Sequence, residues 1–168
     1  SCESFLNLTE QVTSDSICSK NIVAMQPYMV SSDYLTQKHF YEKLKTYFEQ
    51  AKAQGYFKTN TVVLLPEYLG TWLVVSGEKS SVADAPSIQQ AMTIIVLSNP
   101  VAVLTASFHN SGEEDALAAA IFRTKANDMA IQFGNTFKQL AKEYGVTISA
   151  GSIILPGPSV LANEIQVD

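Results

Sequence analysis

The chain has 168 residues, of which 46% are hydrophobic and only 16% charged, with a formal net charge of −5. So apolar a composition excludes a disordered tail, which buries too little surface to offset its ordering entropy. An acidic balance without a Lys/Arg cluster excludes the electrostatic footprint of a nucleic-acid-binding surface, and eight Gly, six Pro and no internal repeat exclude collagen-like or low-complexity sequence.

Residues 1–20 are polar and lack periodicity, and read as an N-terminal extension. Cys2 and Cys18 lie within it; they form one bridge in an oxidising compartment or stand as two free thiols. Asn7-Leu8-Thr9 fits a glycosylation sequon, a triplet common by chance. Asn21 to Tyr28 is a short apolar run ending near a Pro, which predicts a buried strand. Ser31, Ser32 and Asp33 offer helix caps, and Leu35, Phe40, Leu44, Tyr47, Phe48 and Ala51 recur at helical spacing up to Gly55. Thr61 to Pro66 is continuous and β-branched, the pattern of a strand covered on both faces.

A polar loop follows over 76–86, and 87–125 reads as helical in two or three pieces. Ile88 to Phe108 carries no charge, but Ser98-Asn99-Pro100 interrupts it. That break favours two short buried or interface helices over a membrane span, with a membrane-touching hairpin as the other reading. Glu113-Glu114-Asp115 fits a helix start, where acidic side chains suit the dipole. Ala126 to Tyr144 predicts an amphipathic helix capped by Gly145, and Val146 to Leu155 a third strand broken by Pro156-Gly157-Pro158. Strands alternating with helices predict an α/β fold with parallel neighbours. Since the three strands read as apolar on both faces, each face of the sheet needs a cover.

Several chemistries lack their motif. The chain has no G-x-S-x-G elbow, no G-x-G-x-x-G turn and no P-loop. His39 and His109 have no partner at metal-ligand spacing, so no metal or other cofactor is expected. Glu67 stands out because it directly follows the Val62–Pro66 run. The carboxyl end of a buried parallel strand is where α/β proteins place ligands. Partial burial there would raise its proton affinity and suit it to proton transfer; the alternative is a capping or ion-paired Glu.

Three segments resemble the N-terminal half of the nitrilase superfamily, the carbon–nitrogen hydrolases. Asn21-Ile22-Val23-Ala24-Met25-Gln26 looks like that family's opening strand. Val63-Leu64-Leu65-Pro66-Glu67-Tyr68 is similar to its strand-Pro-Glu motif. Leu140-Ala141-Lys142-Glu143-Tyr144-Gly145-Val146, followed by Ala150-Gly151-Ser152, looks like the helix leading into the next core strand. The likeness covers about 21–160, with an enlarged helical insert at about 76–125. It implies part of a four-layer α-β-β-α sandwich, 21–168 being the N-terminal portion of a carbon–nitrogen hydrolase domain.

The resemblance also implies a mechanism. A Cys thiolate attacks an amide or nitrile carbon, a Glu serves as general base and acid, and a Lys stabilises the oxyanion. Glu67 falls on the Glu position. The family's Lys and Cys come later than the Ala150-Gly151-Ser152 strand; Cys2, Cys18, Lys125 and Lys142 do not match them. The expected partners are therefore a small-molecule amide or nitrile, a C-terminal half supplying Lys and Cys, and further copies in a homo-oligomer. Tyr68 and Trp72, with the helical stretch 87–125 of the insert, are the expected pocket wall. The processed-looking start and cysteine-bearing extension point to an exported protein, against a family that is often cytoplasmic. The rival reading is a truncated, non-catalytic interaction module; a nucleotide-binding α/β domain lacks its Gly-rich turn.

Overall fold

The computed structural model describes residues 7–11, 20–85, 88–98 and 116–167. It is a mixed α/β structure with a small, mainly parallel sheet. The sheet has the order β1-β2-β3-β4, made by Asn7–Gln11, Lys20–Gln26, Asn60–Leu64 and Thr147–Ser149. β1 runs antiparallel to β2, whereas β2, β3 and β4 are parallel neighbours. The strand–helix alternation in the sequence accounts for the parallel part, because a parallel return needs a crossover.

Register puts Asn21 beside Thr61 and Val23 beside Val63 on one face, and these four are buried, as are Met25 and Leu65. The helix α1, Gln37–Ala53, and the long helix α4, Ala116–Tyr144, contribute Phe40, Leu44, Phe48, Phe133, Phe137 and Leu140 to the same core. Phe40 meets Phe137 edge-on at 6.0 Å between ring centroids. Each such side chain contributes about 1.5–3 kcal/mol by leaving water. Two polar side chains on this face are satisfied. Thr61 donates to Asn21 Oδ1 and accepts from the Lys58 N–H, and the Asn21 amide reaches the Tyr56 carbonyl at 2.7 Å.

The opposite face departs from the expected double cover. Ile22 and Leu64, outward in the same register, are 47% and 39% exposed. Burial thus alternates along β2, although its residues read as a continuous apolar run.

Other boundaries also move. Residues 7–11, read as part of a featureless extension, form the edge strand β1. The first helix is capped by Thr36, whose hydroxyl accepts from the His39 N–H at 3.1 Å, and not by Ser31, Ser32 or Asp33, which belong to a 3₁₀ turn over Ser31–Tyr34. A short helix α2, Ser80–Ala83, and α3, Ile88–Ser98, precede α4. The helix expected from Ala126 begins ten residues earlier, because the Ala-rich stretch ahead of it has high helix propensity and no breaker. The third strand is only Thr147–Ser149; the chain then leaves the sheet and later forms a hairpin of β5, Ser159–Leu161, and β6, Glu164–Gln166.

Cys2, Cys18, His109, the acidic run 113–115 and the break at 99–100 lie outside the described residues. Among the described residues, no helix is long and apolar enough to cross a membrane.

Candidate functional site

Adjacent parallel strands deliver their carboxyl ends side by side, and the loops that leave them enclose a cleft of about 610 Å³. One wall follows β2 and includes Pro27, Tyr28, Met29, Val30 and Ser31. The other follows β3 and holds Pro66, Glu67, Tyr68, Leu69 and Trp72, with Tyr34 between them. Glu67, Tyr68 and Trp72, singled out from sequence, are thus brought together. Glu67 contributes the single acidic side chain among these lining residues, and its walls are mostly aromatic and aliphatic.

Glu67 itself is exposed. It lacks the partial burial that the sequence reading expected, because the strand ends at Leu64 and the chain turns outward through Pro66. Tyr68 and Trp72 are also largely open to solvent.

Both walls are anchored by hydrogen bonds. The Tyr28 N–H donates to the Tyr47 hydroxyl at 2.8 Å, and the Val30 N–H to Asp33 Oδ2 at 2.8 Å. The Tyr34 hydroxyl donates to the Leu69 carbonyl at 2.9 Å. Burial, reinforced by the Asp33 charge, holds the Tyr34 hydroxyl well above the usual phenol range, so it remains a donor.

The turn after β3 is held from α4 and from the segment after β4. The Leu65 N–H donates to the Ser149 carbonyl at 3.0 Å, extending the ladder past the strand. Tyr68 adopts φ 60°, a left-handed conformation uncommon for a residue with a side chain. Its N–H donates to Ser152 Oγ at 2.8 Å, and the Gly70 N–H donates to the Ser152 carbonyl at 3.0 Å. Gly70 lies flat on Phe133: a Cβ there would sit 2.5 Å from that ring.

Trp72 lies in the first part of the 3₁₀ turn Thr71–Val75, whose Leu73, Val74 and Val75 are buried. Beyond it Lys125 pairs with Glu78 and donates to the Ser76 carbonyl at 3.1 Å, while Ser76 Oγ donates to Gln132 at 2.8 Å. The pair is nearly enclosed, with 14% and 4% of the two side chains exposed. Lys125 is therefore engaged in tying residues 76–78 to α4, away from the cleft lining; Lys142 is exposed on α4.

Sequence reasoning missed Tyr28, Met29, Val30, Tyr34 and Ser152 as parts of this site. Only Gly151-Ser152 left a signal, a glycine inside an apolar run. Among the described residues no three His, Cys, Asp or Glu side chains converge as a metal site would require. No family model, curated protein or solved structure matches this chain.

Proposed function

We propose that this chain is the N-terminal portion of a nitrilase-like carbon–nitrogen hydrolase, acting on an amide or nitrile, with Glu67 as its general base. The observation that carries this reading is the position of Glu67. It follows a parallel strand at its carboxyl end and opens into a cleft walled by Tyr68 and Trp72. An exposed carboxylate at that place is available to take the proton of an incoming thiol and return it to a leaving amine. The thiol and the oxyanion-stabilising Lys come, on this reading, from a C-terminal half. The open sheet face with Ile22 and Leu64 is what a second β layer of a four-layer α-β-β-α sandwich covers. Closure by that layer supplies the burial that Glu67 lacks here. A homo-oligomer belongs to the same proposal.

The test is ammonia release by the full natural chain from propionamide, benzamide, phenylacetamide and benzonitrile, wild type against Glu67→Gln. Removing a general base costs on the order of 10²–10⁴ in rate. Turnover unchanged in Glu67→Gln removes Glu67 from the mechanism.

The exposure of Glu67 and the open apolar face favour a second reading, a non-catalytic interaction module. It predicts no turnover of this panel by the wild-type protein.

A further inference from the structure

We propose that Ser152, acting with Gly151, is a positioning residue for the Glu67 carboxylate, an inference that rests on the general-base reading above. Glu67 is exposed, so side-chain packing does little to aim it. What aims it is the backbone on either side. On its N-terminal side, Gly151 presses against the Pro66 carbonyl so closely that a Cβ would lie 2.0 Å from the oxygen. On its C-terminal side, Tyr68 is held at φ 60° with its N–H on Ser152 Oγ at 2.8 Å. A second tie, from the Gly70 N–H to the Ser152 carbonyl at 3.0 Å, closes the clamp.

A conformation this sparsely populated persists only when its surroundings over-determine it. The Ser152 hydroxyl is the side-chain contribution to that over-determination; the other ties use backbone atoms. Without Oγ, the Tyr68 amide turns to water, the turn relaxes towards commoner dihedrals, and the Glu67 Cα–Cβ direction swings. Tyr68 shifts with the turn, while the opposite wall, Pro27 to Ser31 with Tyr34, stays in place, so the loss falls chiefly on the chemical step. A displacement of about 1 Å in a catalytic group costs on the order of 100-fold.

The experiment measures kcat and KM for ammonia release by the full natural chain, on whichever of the four compounds above the wild type turns over fastest. The expected result is a fall in kcat of about ten-fold or more for Ser152→Ala with KM within about two-fold. Ser152→Thr, which keeps the hydroxyl, stays within about three-fold of wild type in kcat. If Ser152→Ala does not fold, Ser152→Cys replaces it: a weak sulfur acceptor predicts a smaller fall in kcat, again at constant KM. Wild-type kcat in Ser152→Ala or its Cys replacement, equal losses in Ser152→Thr, or a loss carried entirely by KM overturns the positioning role. Glu67→Gln separates the two ideas. An inert Glu67→Gln beside an unimpaired Ser152→Ala refutes positioning alone. A fully active Glu67→Gln, or an inert wild type, refutes the hydrolase reading and the positioning role with it.

Discussion

At the residue scale, the distance between Gly151 and the Pro66 carbonyl sets the tolerance of the site. Gly151 has φ 74°, and a Cβ would overlap backbone atoms that have no rotamer through which to move away. Both effects act on Gly151→Ala, the left-handed strain and the forced separation of the two segments. The expected loss of stability is about 2–4 kcal/mol, measured by urea unfolding. A midpoint equal to that of wild type would show that the two segments part without penalty. The Lys125–Glu78 pair is a different case, since its cohesion is chiefly electrostatic. Two charges enclosed this fully remain stable because each satisfies the other and Lys125 also reaches a carbonyl. Neither close contact is legible in the sequence, because residues 66 and 151, like 78 and 125, are separated by long stretches and no local pattern connects them.

At the element scale, α1 and α4 are joined at one end by a polar cluster and along their length by aromatic packing. Tyr41 donates to Glu143, which also pairs with Lys45 at 2.7 Å, and Tyr144 donates to Glu49. Phe48, Phe57 and Tyr144 pack as three rings with centroids 5.2–5.8 Å apart. Hydrogen bonding from Lys45, then from Tyr41, holds the Glu143 carboxyl below its ordinary value of 4.5. Because this value is lowered on folding, its stabilisation is present above about pH 4.5 and is lost as pH falls through the folded value. Glu143→Gln should therefore lower the thermal midpoint at pH 7, with the deficit narrowing as pH falls below about 4. An equal deficit at pH 7 and pH 3 would assign the effect to packing. The helices were legible from their apolar spacing, and Gly55 and Gly145 follow them with positive φ as C-terminal glycines do. β1 was not legible. Asn7–Gln11 carries a single large apolar residue, Leu8, and is ordered as a strand by backbone pairing with β2. The third strand was over-read because Ile153, Ile154 and Leu155 continue the apolar run after Gly151 has turned the chain out of the ladder.

At the scale of the whole molecule, the two faces of the sheet separate the established fold from the proposed one. The inner face is closed by α1 and α4, whereas Ile22 and Leu64 face outward. If a second sheet covers that face in the full natural chain, Leu64→Lys buries an unpaired ammonium and costs at least about 2 kcal/mol of stability in urea unfolding. A change within about 0.5 kcal/mol, usual for a surface substitution, would show the face to be solvated and count against the four-layer sandwich.

The sequence by itself determined the alternation of strands and helices, the two long amphipathic helices, and the place of Glu67 just past the carboxyl end of a parallel strand. These follow from apolar periodicity and local turn chemistry, which act over a few residues. Tertiary structure alone decided which strand face is covered, that the loops after β2 and β3 share one cleft, and that Gly151 and Ser152 grip the turn beside Glu67. Those outcomes depend on register and on contacts between segments about 85 residues apart, such as Tyr68 and Ser152. Hydrogen bonds and steric exclusion at that separation leave no periodic trace along the chain.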